Sequence, residues 1–270
     1  MSLHVDDYVY AGTGDSGQPL LLIHGWGMHG GLWGHVAERL AQHFRVFAVD
    51  LPGHGHSRGQ WTGDGGQNKR QEGSLDEIVD ELSARFTMPL AVCGWSLGGQ
   101  VALRWAMRQP QQVKRMVLVA STPCFVQQPD WACAMEAETL SGFDAALRKD
   151  YAQTLHRFLA LQVRGSDKER DLLASLRSEL FSRGEPDWNA LYAGLDILRT
   201  CDLRSALPGV QQATLVIAGE RDTLTPLPAV QYLAAHLPNA QMASIKGAAH
   251  APFLSHPEQF LDYVVNFLHE

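Results

Sequence analysis

Six short apolar runs, each ending near a glycine or a polar residue, constrain this chain more than any other feature. They are PLLLIHG (19–25), RVFAVD (45–50), PLAVCG (89–94), RMVLVA (115–120), ATLVIAG (213–219) and AQMASIKG (240–247). Stretches of helical period separate them, at 31–43, 75–86, 97–109, 228–236 and 257–268. Strands alternating with helices predict an α/β fold, a mostly parallel central sheet with helices on both faces. The alternation stops between 123 and 205, where AALRKDYAQTLHRFLALQ and ERDLLASLRSELF both read as amphipathic helices. The expected organisation is therefore a core domain of residues 1–122 and 206–270, with an inserted helical cap at 123–205. The segment 59–73, with five glycines and no apolar pattern, is expected to be a mobile loop.

Composition narrows the function classes. At 270 residues and 45% hydrophobic, the chain can bury a full core. Its net charge of −7 argues against a general nucleic-acid binder, which needs a broad positive field. Cys93, Cys124, Cys133 and Cys201 show no zinc or CxxC spacing and are expected as buried free thiols, with no metal or cofactor. The start, MSLHVDDYVY, has no basic stretch leading into an apolar one, and no run approaches the roughly 18 apolar residues of a membrane span. A cytoplasmic monomer without membrane contact is the expectation.

Chemistry enters at AVCGWSLGGQ (91–100), where Ser96 stands between Gly94 and Gly98 after a strand and before a helix. This is the pattern of a nucleophile elbow, a turn tight enough to demand glycine at its flanks. A nucleophilic serine needs a base, an acid that orients the base, and donors for the oxyanion. Asp222 in VIAGERDTLTP lies just beyond a strand, and His250 in IKGAAHAPF lies after the last one. The backbone N–H groups of Trp26, in LLIHGWG, and of Leu97, which opens a helix, are candidates for the oxyanion hole. His24 is expected to support that loop rather than move protons. Asp222 could instead be a plain turn-former. DLPGHGHS (50–57) lacks the lysine of a phosphate loop and reads as a turn near the pocket mouth.

LLIHGWG, DLPGHGHS, GWSLGG, GERDTLTP and AAHAPFLSHP together resemble the α/β-hydrolase superfamily along the full chain, with the partners in its order Ser, Asp, His. HGWGM, GWSLGGQVAL, VASTPCF, RFLALQ, GLDILRTCDLR and HAPFLSHP are similar to the pimeloyl-acyl-carrier-protein methyl ester esterase family of biotin synthesis. That resemblance implies a serine carboxylesterase without metal or cofactor, acting on a methyl ester carried by an acyl-carrier protein. It further implies that Phe158, Leu159, Ala160, Leu161 and Gln162 line the acyl pocket with Trp26, Leu97 and His250; helix core is the alternative reading of Phe158, Leu159 and Leu161. Segment 59–73 departs from the family pattern. A carbon–carbon bond hydrolase of ring-cleavage products, a broad short-chain carboxylesterase and a hydrolase-derived ligand receptor share the same triad and stay open. Dehalogenases and epoxide hydrolases of this fold carry Asp where this chain has Ser96.

Charge is unevenly spread. Between residues 148 and 183, eight Arg and Lys stand against five Asp and Glu, a local +3 in an otherwise acidic chain. An acidic carrier protein is therefore expected to dock on the cap through Arg157, Arg164, Lys168 and Arg170. Arg157, Arg164 and Lys168 share a side if one helix runs past Gly165. A solvated helical face is the alternative.

Overall fold

The computed structural model describes residues 3–11, 17–59 and 72–270. Segment 59–73 therefore lies largely outside the described residues, although a helix already begins at Glu72. Seven strands form one sheet: β1 (Val5–Tyr8), β2 (Pro19–Ile23), β3 (Arg45–Val49), β4 (Leu90–Trp95), β5 (Val113–Val119), β6 (Ala213–Gly219) and β7 (Ala240–Ile245). Their spatial order is β1-β3-β2-β4-β5-β6-β7, and every pairing is parallel except β1 with β3. The six apolar runs are β2 to β7. β1 is the strand that the sequence reading missed. Its VDDY is short and polar, and it becomes a strand by pairing with the exposed edge of β3.

The helices are α1 (Gly34–Leu40), α2 (Glu72–Arg85), α3 (Leu97–Arg108), α4 (Ala137–Lys149), α5 (Tyr151–Val163), α6 (Glu169–Glu179), α7 (Trp188–Thr200), α8 (Leu227–His236), α9 (Pro252–Ser255) and α10 (Pro257–His269). None of them is long and apolar enough to cross a membrane. The middle of the sheet is the core: Leu22, Val92, Cys93, Val117, Leu118, Val216 and Ile217 are fully buried. Cys93 is thus a packed thiol, and burial pushes its pKa up.

After β3 the chain skips over β2 to form β4, so β2 and β4 are neighbours whose outgoing loops diverge. A crevice opens at the carboxyl ends of strands at such a reversal. Here those ends are followed by the Trp26 loop and by Ser96.

Between β5 and β6 lie α4 to α7, a 3₁₀ helix at Arg204–Gly209 and isolated bridges. The chain leaves and rejoins the sheet side by side, with Cys124 bridged to Asp202 and the Leu203 N–H donating to the Pro123 carbonyl at 2.9 Å. The run 145–162, read from sequence as one helix, is two. Asp150 takes an extended backbone, and its carboxylate accepts the Gln153 N–H at 3.0 Å. An aspartate that can cap a new helix competes with continuation of the old one.

Hydrogen bonds tie these helices to the rest of the molecule at several places, two of which bear on the site. At the α6–α7 connection, Arg183 donates to both oxygens of the fully buried Asp50 at 3.2 Å, and His29 Nε2–H donates to the Glu179 carbonyl at 2.7 Å. Asp50 also accepts the N–H groups of Gly30 and His56. DLPGHGHS is a turn, as its sequence suggested, but a largely buried one that braces the helices through Asp50. The second tie, at the α5–α6 turn, meets the loop of His250.

Candidate active site

β4 runs straight into α3 through one residue, and only an unusual backbone achieves this. Ser96 has φ 55° and ψ −116°, outside the regions an L-residue ordinarily occupies. The flanking glycines are required by contact: a Cβ on Gly94 would sit 2.2 Å from the Gly98 carbonyl oxygen, and one on Gly98 would sit 2.5 Å from the Ile23 oxygen. The turn is held by the Ser96 N–H donating to Val119 at 2.9 Å and by the Ser121 hydroxyl donating to the Ser96 carbonyl at 2.8 Å. Ser96 occupies the N-cap position of α3, yet its side chain makes no capping bond. The hydroxyl is thus left for other chemistry, and the first N–H groups of α3 remain available as donors.

Asp222 lies three residues beyond β6, 6% exposed, and every group bonded to it is a donor. Oδ1 accepts the N–H groups of Leu224 and Thr225 at 2.8 and 3.0 Å; Oδ2 accepts the Thr225 hydroxyl at 2.6 Å and His250 Nδ1–H at 2.8 Å. With its proton on Nδ1, the imidazole presents a lone pair at Nε2. That atom is buried and, among the described residues, has no hydrogen-bond partner. Main-chain bonds set the ring beside the elbow: Trp95, the residue before Ser96, donates Nε1–H to the His250 carbonyl at 2.8 Å, and the His250 N–H donates to the Gln162 carbonyl at 3.0 Å. Thr225 and Trp95 were not singled out from the sequence. The Asp-x-x-Thr spacing after a strand was a usable signal for Thr225; nothing local marked Trp95.

The Trp26 loop is clamped by His24. The Leu51 N–H donates to its Nε2 at 2.9 Å, so its Nδ1–H donates to the Gly25 carbonyl at 2.8 Å. Burial, with His54 adjacent, pushes its pKa down to about 3. His24 is therefore a neutral brace across two loops, as expected. Burial also lowers the pKa values of His29 and His54. The unfolded chain takes up these protons near pH 6.5 while the folded chain resists them. Stability is then fully present above that pH and is lost as pH falls, by up to about 1.4 kcal/mol per pH unit for each residue. Denaturant unfolding at pH 5 should give a free energy at least about 2 kcal/mol below that at pH 7. Equal stability at the two values would exclude the neutral-brace assignment.

Of the pocket residues expected on α5, two reach the site. Phe158 packs edge-on against Trp26 with ring centroids 4.9 Å apart, and Gln162 meets His250 through its carbonyl. Leu159 is buried core, whereas Ala160 and Leu161 are half-buried. Trp26 is also gripped by α7: its Nε1–H donates to the Leu191 carbonyl at 2.8 Å. A Cβ on Gly194 would lie 2.7 Å from the Trp26 ring and 3.5 Å from Leu97. Trp26 and Leu97 are thus neighbours beneath α5 and α7.

Arg157, Arg164, Lys168 and Arg170 are all exposed, and among the described residues none of them forms a salt bridge. The shared helical side does not exist. α5 ends at Val163, Gly165 has φ 78°, and Lys168 has φ 63° as the cap of α6, so the backbone reverses between Arg157 and Arg170. A glycine free to adopt positive φ stopped the helix. Arg157 is on α5, Arg164 and Lys168 on the turn, and Arg170 in the first turn of α6.

Comparison with known proteins agrees with this geometry. The family model described as "alpha/beta hydrolase fold" matches residues 18–257. A pimeloyl-acyl-carrier-protein methyl ester esterase of Nitrosomonas europaea is 46% identical over 261 residues, covering 96% of this chain and 97% of the relative. One of the same description from Xanthomonas oryzae is 43% identical, covering 93% and 95%. Among solved structures, an esterase of Exiguobacterium antarcticum superposes with a TM-score of 0.82 at 19% identity, covering 99% of this chain and 96% of that one. A bromoperoxidase of Bacillus anthracis does so at 0.83 and 19%, covering 99% and 95%. At such identity these structures speak for the fold alone. The full-length sequence relatives speak for more: this chain belongs to the α/β-hydrolase family, in the branch of the pimeloyl-acyl-carrier-protein methyl ester esterases.

Proposed function

We propose that this chain is a serine carboxylesterase that hydrolyses the methyl ester of a pimeloyl group carried on acyl-carrier protein. The observation that carries the chemistry is the buried, unpartnered Nε2 of His250, whose Nδ1 is committed to Asp222, beside an elbow serine that caps nothing. The substrate rests on the relatives that match end to end.

Ser96 Oγ attacks the ester carbonyl while its proton passes to His250 Nε2. The N–H groups of Trp26 and Leu97 receive the developing oxyanion. The carbon–oxygen bond to the methoxy group breaks, and His250 returns the proton to give methanol. Water then attacks the acyl-enzyme by the same route and releases the free carboxylate. Asp222 holds the imidazole tautomer and stabilises its charged form. α4 to α7 act as a cap over this site, with Phe158, Gln162 and their neighbours on α5 lining the acyl chain. The cations around the α5–α6 turn contact the acidic carrier, which meets the enzyme as a monomer in the cytoplasm.

Two measurements test this. The gene should restore growth without biotin to a strain lacking the esterase. The double reversal Arg157→Glu and Arg170→Glu should lower kcat/KM on the carrier-bound methyl ester about tenfold or more, as should raised salt. Free methyl esters should change far less. Equal sensitivity of the two substrates would remove the docking surface, and failure to cleave the carrier-bound ester would remove the function.

A further inference from the structure

The α5–α6 turn grips both loops that supply the proposed acid and base. On the side of the base, the His250 N–H donates to the Gln162 carbonyl at 3.0 Å, and the Asp167 N–H donates to the Gly247 carbonyl at 2.9 Å. Two backbone bonds thus join the ends of the turn to the ends of the segment 247–250. The fit is close: Gly247 has φ 82°, and a Cβ there would lie 2.3 Å from an oxygen of the Asp167 carboxylate.

On the side of the acid stands Arg221, the residue before Asp222. Its backbone N–H donates to the Ala248 carbonyl at 2.9 Å. Its guanidinium Nη1 donates to the Gly165 carbonyl and to Asp167 Oδ1, both at 2.8 Å. One residue therefore touches the loop of His250 with its main chain and the turn between α5 and α6 with its side chain, while carrying Asp222 as its covalent neighbour. His256 approaches the other oxygen of Asp167 at 4.0 Å. Arg221 and Asp167 are each about half exposed, so their pairing adds little to global stability. Its consequence is local, because hydrogen bonds between reacting groups respond to small displacements.

We propose that Arg221, through Asp167, is a positioning residue: it registers the Asp222 and His250 loops against the α5–α6 turn, so that the seating of the cap sets the alignment of the proposed acid–base pair. This rests on the roles proposed above for Asp222 and His250.

The test uses the full-length protein and a free p-nitrophenyl ester, which needs no carrier contact. Arg221→Ala should lower kcat about fivefold, with KM changed less than twofold and the thermal midpoint within about 2 °C of wild type. Asp167→Ala, which leaves the bond from Arg221 to the Gly165 carbonyl, should lower kcat by less, and the double variant should be no worse than Arg221→Ala, since the Asp167 contact is already lost there. Arg221→Lys, which keeps a charged donor, should recover most of the rate. Wild-type kcat in Arg221→Ala would overturn the proposal, as would additive losses in the double variant, or a fall in rate that merely follows a fall in thermal midpoint. Failure of the triad itself would show separately, as activity surviving in Ser96→Ala.

Discussion

Ser96→Ala should lower kcat on short p-nitrophenyl esters by at least about 10⁴-fold while the protein stays folded. The loss is large because the members of a triad act as a unit: without Oγ there is no acyl-enzyme, and the lone pair of His250 has no serine proton to take. The fold should survive because the side chain does little structural work. Ser96 makes no capping bond to α3, and the bonds that hold the elbow run through its backbone N–H and carbonyl. Alanine bears the same positive φ at the same steric cost as serine, so the unfolding free energy should change by less than about 1 kcal/mol. Activity and denaturant unfolding measured on one preparation check both halves. A tenth of the wild-type rate remaining in the variant would exclude Ser96 as the nucleophile.

Asp222→Asn should lower kcat by about 10³- to 10⁴-fold, with a smaller effect on stability. The reason is the set of contacts around this carboxylate, in which four donors, three of them N–H groups, converge on two oxygens. An amide must turn its NH₂ toward one of the two groups. If it faces His250, the ring is driven to carry its proton on Nε2 and can no longer accept one from serine. If it faces Leu224 and Thr225, two backbone donors lose their acceptor at a cost of about 1–3 kcal/mol each, and the carboxylate charge that supports the imidazolium is gone as well. The rate therefore falls in either orientation. A rate within tenfold of wild type would show that Asp222 does not orient the base.

The site and the fold were legible to different depths. Five of the six runs announced strands because a parallel strand inside the sheet is buried on both faces and needs uniform apolar residues, whereas β7, at the edge, is short of that pattern and largely exposed. The elbow was visible because glycine is the one residue with room at positions 94 and 98. β1 was not visible: VDDY lacks any apolar pattern and is a strand only because β3 offers an open edge. Nor was the break at Asp150, where an apolar period continues across a residue that prefers to cap.

Sequence order alone determined which residues stand after which strand, and hence that Ser96, Asp222 and His250 lie at the carboxyl ends of β4, β6 and β7. Local chemistry sufficed for this, since strand ends and glycine turns are encoded within a few residues. Only the tertiary structure decided the tautomer of His250, because that depends on Asp222, 28 residues away, and on the Trp95 and Gln162 groups that set the ring. It likewise decided that Arg157 and Lys168 do not share a face, that Asp50 is buried under Arg183, and that Arg221 joins the loops of Asp222 and His250 to the α5–α6 turn. Contacts between residues distant in the chain leave no local period or spacing to read, because they depend on where the packed sheet brings each loop.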